Sequence, residues 1–304
     1  MALPSIDTIR NRIRRVGRRR VLAFLGVAVL ALVVAAAVGF YVYFGLLAHH
    51  APAEVQQSVR ADPNVTVESG YGGYVVRDAD PGPERLGVVF YPGGRVAPDA
   101  YLPTAAEIAT RGNVTVVVPK MRVNLAVFSQ GRADAVLAGE SGIERWVVGG
   151  HSLGGAMACR YAGANNETVD GLLLVGAYCD RPVQELSALS VVGTRDAVLD
   201  RDRFAETESN LPDPHTVVRI EGMNHSQAGW YGGQSGDQPA TVSTPDAHRG
   251  LATTVADWLC SDLDHCVNET SARNSTSVQG LGTGESRSRA RSSAAASSAS
   301  SIGS

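Results

Sequence analysis

The sequence predicts an α/β architecture, a mostly parallel sheet flanked by helices and preceded by one N-terminal transmembrane helix. Three observations carry this. Short apolar runs alternate with segments of helical spacing from about residue 70 to residue 262. One of these runs ends in a glycine-flanked serine and passes directly into a helix. Ahead of them all, residues 21–48 contain no charged side chain and follow a cluster of arginines.

That uncharged stretch exceeds the roughly 20 residues needed to cross a ~30 Å hydrocarbon core, and it is too long for the apolar part of a signal peptide. The first twenty residues hold seven arginines and one acid, Asp7. By the positive-inside rule this basic segment, 1–20, stays cytoplasmic. Phe40, Tyr41, Tyr43 and Phe44 supply aromatic residues at the far interface. The expected layout is a transmembrane helix over 21–48, a linker over 49–69, a catalytic domain over 70–262 outside the cytoplasm, and a tail over 267–304. The tail, rich in Ser, Ala and Gly, is too poor in large apolar residues to fold.

The net charge of −3 conceals an asymmetry: beyond position 20 there are 20 basic and 29 acidic residues, net −9, and Lys120 is the only lysine. An acidic, lysine-poor body suits high salt and argues against a nucleic-acid partner. Cys159, Cys179, Cys260 and Cys266 form no C-x-x-C pair, which leaves redox and zinc motifs unsupported. An even number permits disulfides outside the cytoplasm, and free buried thiols remain the alternative.

Taken in order, strands are expected at 74–76, 87–91, 114–118, 171–175, 189–192 and 217–220, and helices at 99–110, 133–138, 153–162 and 247–260. Between the second and third helices lies Trp146-Val147-Val148-Gly149-Gly150-His151-Ser152-Leu153-Gly154-Gly155. Gly150-x-Ser152-x-Gly154 is the nucleophile-elbow pattern of strand, sharp turn and helix. The turn is strained and crowded, so residues two before and two after the serine must lack side chains. A serine hydroxyl needs a base within hydrogen-bond reach. Among seven histidines, His225 follows the last strand at its carboxyl edge, where open α/β sheets build sites. His49 and His50 fall in the linker, and His151 adjoins the serine on a turn whose neighbours point apart. The base needs a carboxylate, and Asp196 follows the preceding strand in Gly193-Thr194-Arg195-Asp196, with Asp200 and Asp202 as fallbacks. An oxyanion would be held by the Leu153 N–H and by Gly94 or Arg95 in Tyr91-Pro92-Gly93-Gly94-Arg95. Lys120 and Tyr231 are possible substrate contacts.

Gly-His-Ser-Leu-Gly-Gly, Gly-Thr-Arg-Asp and Gly-Met-Asn-His, in the chain order Ser152, Asp196, His225, resemble the α/β-hydrolase superfamily. The segments 90–94, 120–126, 146–157 and 224–237 are similar to the small cap-less members related to the dienelactone hydrolases. The resemblance covers roughly residues 70–260. It implies the α/β-hydrolase fold and hydrolysis of an ester or related acyl bond through a covalent acyl-enzyme. Dienelactone hydrolases proper use cysteine where Ser152 stands, so their substrate is not carried over. The expectation is a membrane-anchored serine hydrolase acting on a small-molecule acyl substrate, with no metal or organic cofactor. The alternatives are an acyltransferase on the same fold and a non-catalytic surface binding protein.

Overall fold

The computed structural model describes residues 6–82 and 85–266. Eight strands form one sheet: β1 (Val65–Gly70), β2 (Gly73–Asp78), β3 (Leu86–Tyr91), β4 (Thr115–Val118), β5 (Arg145–His151), β6 (Gly171–Val175), β7 (Ser187–Gly193) and β8 (His215–Ile220). Their order is β1-β2-β4-β3-β5-β6-β7-β8. From β4 to β8 every pairing is parallel, while β1 pairs with β2 and β2 with β4 antiparallel. The helices are α1 (Ile6–Tyr41), α2 (Ala53–Ala61), α3 (Leu102–Gly112), α4 (Arg132–Gly139), α5 (Leu153–Ala164), α6 (Arg201–Thr207) and α7 (Thr244–Leu263).

The apolar runs read as strands buried on both faces because side chains alternate across a sheet with helices on each side. Val88, Phe90, Val147, Leu173 and Val191 pack with α3 and α7, where Leu251, Val255 and Trp258 meet them. Val89, Tyr91, Val148, Leu172 and Leu174 face the other way, toward Ala133 and Val136 of α4 and Met157, Ala158 and Tyr161 of α5. Disulfides join Cys159 of α5 to Cys179 beyond β6, and Cys260 of α7 to Cys266.

Three expectations need correction. Residues 49–69 are not a free linker: they contain α2 and most of β1, which pairs in register with β2 from Val65 opposite Asp78 to Gly70 opposite Gly73. As an edge strand β1 buries only Val65 fully, so its sequence lacks the continuous apolar signal of an inner strand. The domain boundary at residue 70 therefore falls inside the sheet. The N-terminal helix is also longer than 21–48 suggests at its start and shorter at its end. It begins at Ile6, within the basic segment, and passes at Tyr41 into a π-helical turn over Val42–Leu46. Its stretch Arg20–Leu46 is long and apolar enough to cross a membrane. The tail over 267–304 lies outside the described residues.

Candidate active site

The registers bring the carboxyl ends of the parallel strands to one edge. Tyr91 of β3 lies beside Gly150 of β5, His151 beside Val175 of β6, Val175 beside Val191 of β7, and Gly193 beside Ile220 of β8. The loops that leave β3, β5, β7 and β8 at this edge each carry one part of the site.

Ser152 follows β5 and precedes α5, with φ 53° and ψ −125°, a conformation most side chains avoid. Such strain costs roughly 1–3 kcal/mol and persists only where the surroundings enforce it. Here the Ser152 N–H donates to Val175 O at 3.0 Å, and Ser152 O accepts from the Ala156 N–H at 3.0 Å. The turn also presses against β3: a Cβ on Gly154 would lie 2.1 Å from Tyr91 O, and one on Gly150 would lie 2.6 Å from the same atom. Only glycine fits at either position, which is the physical content of the G-x-S-x-G spacing.

His225 and Asp196 meet across the ends of β8 and β7. His225 Nδ1 lies 2.8 Å from Asp196 Oδ2, and both side chains are buried. The other carboxylate oxygen, Oδ1, accepts from the N–H groups of Val198 (3.0 Å) and Leu199 (2.9 Å). A carboxylate only accepts, so in the neutral imidazole the tautomer that fits this pair carries its proton on Nδ1 and its lone pair on Nε2. Nε2 is buried with no hydrogen-bond partner. The Ser152 hydroxyl does not bond to it. Gly176, one residue beyond the strand that anchors the elbow, brings the parts together. A Cβ there would lie 3.0 Å from Asp196 Oδ2 and 3.2 Å from His225 Nδ1. Asp200 is engaged elsewhere, capping α6 through the Arg203 N–H at 2.9 Å, and Asp202 sits exposed in the first turn of that helix.

The loop after β3 distinguishes the two candidate oxyanion donors. The Arg95 N–H is taken, donating to Asn124 O at 2.8 Å. The Gly94 N–H donates to no group among the described residues, and Leu153 N is the first of α5, where an N–H has no intrahelical acceptor. Gly94 lies against the residue after the serine: a Cβ on it would be 3.3 Å from Leu153 Cδ2.

Two side chains that the sequence did not single out tie these loops together. Tyr101 OH accepts from the Gly93 N–H at 2.9 Å and is hydrogen-bonded to His151 Nδ1, also 2.9 Å away. The His151 ring lies 4.4 Å from that of His225. Asp237 receives the backbone N–H groups of His225 (3.2 Å) and Ser226 (3.0 Å), fixing the turn that presents the base. Tyr101→Phe strands the buried Gly93 donor and leaves His151 Nδ1 without its partner. It is expected to cost about 1–3 kcal/mol in stability by denaturant unfolding.

Tyr231 does reach the site, its ring 6.4 Å from His151, and its far neighbour is His49 at 5.2 Å. His49, expected in the linker, thus lies beside Tyr231. Burial pushes the Tyr231 phenol well above its ordinary value, so it is a neutral surface there. Lys120 does not join the group. It is exposed at the end of β4, two strands from β5, with its backbone N–H bonded to Tyr71 O at 3.3 Å.

Residues 87–249, more than half of the chain, match the alpha/beta hydrolase family. The chain belongs to that family. Solved hydrolase structures also align with the chain. An esterase domain from a Rhodothermus marinus protein aligns at TM-score 0.44 and 15% identity, covering 64% of this chain and 96% of that one. A hormone-sensitive lipase from a metagenome library aligns at TM-score 0.48 and 15% identity, covering 67% and 89%. No curated protein matches the chain.

Buried histidines make the stability of this α/β hydrolase depend on pH. Burial first, and the nearby His225 second, hold the His151 imidazole well below its ordinary 6.5. His248 of α7, with Nε2 3.2 Å from Gly229 O, is pushed from 6.5 down to about 4 by burial. Both stay neutral in the fold and take up a proton on unfolding, so stability rises with pH across this window and is lost as pH falls from 6.5 toward about 4. Each proton contributes a slope of up to about 1.4 kcal/mol per pH unit. Urea unfolding at a series of pH values is expected to show His248→Asn with a slope shallower by up to that amount.

Proposed function

We propose that this α/β hydrolase is a membrane-anchored serine hydrolase that cleaves an ester or related acyl bond. The reading rests above all on the Asp196–His225 pair, whose buried, unpartnered Nε2 is available to a serine on a strained elbow. In this account Nε2 takes the Ser152 proton as Oγ adds to the substrate carbonyl. The N–H groups of Leu153 and Gly94 stabilise the oxyanion, worth about 3–4 kcal/mol for each such donor. The imidazolium, stabilised by Asp196, then returns its proton to the departing alcohol. Water, activated by the same Nε2, releases the acid and frees Ser152. Tyr231 and His49 would border the substrate.

The apolar helix supports the anchoring, and the preceding arginines favour a cytoplasmic N-terminus. Two disulfides support placing the domain in an oxidising compartment, outside the cytoplasm. Hydrolysis of a series of p-nitrophenyl esters by the purified chain tests the activity. Turnover that disappears in His225→Ala is expected. A folded protein that leaves every ester intact at low and molar salt would instead favour a binding role.

A further inference from the structure

The helix that would anchor the chain does not leave the membrane through a flexible tether. It runs into the loops that build the candidate site. Counting from Arg20 at 1.5 Å per residue, a ~30 Å hydrocarbon core is used up after about 20 residues, near Phe40. The next ten residues are bonded to the domain. Asn124 Nδ2 donates to Phe44 O at 2.8 Å. Arg95 donates through Nε to Leu47 O (2.9 Å) and through Nη1 to Tyr43 OH (2.8 Å), with its guanidinium 4.3 Å from the Tyr43 ring centre. His49 N–H donates to Arg95 O at 2.8 Å, and His49 O accepts from the Ala97 N–H at 2.9 Å. Arg95 is the neighbour of Gly94, the candidate oxyanion donor. The mouth of the site is therefore held within a few residues of the bilayer surface.

A second observation points the same way. Beyond Leu47, which follows the exit turn, Val127 (37% exposed) and Phe128 (52% exposed) are the only large apolar side chains left exposed among the described residues. They share one short 3-10 turn, Ala126–Phe128, and the Phe128 ring lies edge-on to Phe40 at 6.3 Å. Isolated exposed apolar residues are ordinary. Here the pair sits beside the membrane helix, at the depth where the hydrocarbon core ends.

We infer that the substrate is an ester-linked amphiphilic lipid taken from the outer leaflet, with Val127 and Phe128 seated in the headgroup–acyl boundary beside the site mouth. The carbonyl of such a lipid lies at that boundary, so it reaches Ser152 without leaving the membrane. This rests on the serine-hydrolase reading and on the helix spanning the bilayer.

The test uses the full chain in phosphatidylcholine vesicles. It is offered two fluorogenic esters of one fluorophore, a long-chain ester that stays in the bilayer and a short-chain ester that stays in water. Fluorophosphonate labelling of Ser152 is followed in parallel. For the double variant Val127→Asp/Phe128→Asp, the ratio of bilayer to soluble turnover is expected to fall at least tenfold. In Phe128→Trp, which keeps the loop apolar, the added indole emission is expected to be quenched by lipids brominated on their acyl chains. Wild type that is labelled and cleaves only the soluble ester overturns the inference and leaves the hydrolase reading standing. So does a ratio unchanged in the double variant, or an added emission in Phe128→Trp that brominated lipids leave untouched. Absence of both labelling and turnover overturns the hydrolase reading and this inference with it.

Discussion

Ser152→Ala is expected to lower kcat/KM on a short-chain ester by about a million-fold, the scale on which serine–histidine–aspartate enzymes lose activity with their nucleophile. That corresponds to about 8 kcal/mol of transition-state stabilisation. The loss is chemical, not structural. Alanine keeps the Cβ at φ 53°, so the elbow carries the same strain, and Ser152 Oγ makes no hydrogen bond among the described residues that the variant would break. Ser152 is only half-buried, and thermal unfolding should move by no more than about 0.5 kcal/mol. Initial rates and a melting curve on the same preparation check both halves.

Asp196→Asn is expected to reduce kcat by about 10⁴-fold with the fold retained. The reason lies in the division of labour between the two carboxylate oxygens. Oδ1 accepts from Val198 and Leu199, so an amide would leave its oxygen there and turn its NH₂ toward His225. His225 Nδ1 must then accept, the imidazole proton moves to Nε2, and the base can no longer take the serine proton. Asp196→Ala differs: it also strands two backbone donors, each costing about 1–3 kcal/mol. The asparagine variant should therefore be inactive and stable, the alanine variant inactive and less stable. Equal melting temperatures for the two would contradict the hydrogen-bond assignment.

The parts of the candidate site that were legible in the sequence are those fixed by local structure. The elbow could be read because the strand, the strained turn and the glycines at 150 and 154 are consecutive. Asp196 could be placed because it follows β7, an inner strand with a continuous apolar run, and His225 because its loop leaves the next strand, the half-buried edge strand β8, at the same carboxyl edge. Contacts set by tertiary structure were not legible. Arg95 drops out as an oxyanion donor only because Asn124 O, almost thirty residues on, takes its N–H. Tyr101 and His151 are fifty residues apart, and nothing local in either announces their hydrogen bond. The strand β1 shows on only one face, and the short polar helix α2 buries Val59 alone, so 49–69 reads as a linker although it is part of the domain.

In the proposed reaction Ser152 is an activated nucleophile. The most direct test is fluorophosphonate labelling of the full chain in low and in molar salt, followed by mass-spectrometric mapping of the adduct. A single adduct is expected, on Ser152 within the tryptic peptide spanning residues 146–160, with labelling slowed by at least about 10³-fold in His225→Ala. A folded wild type that stays unlabelled in both salts, or an adduct at another residue, would contradict it.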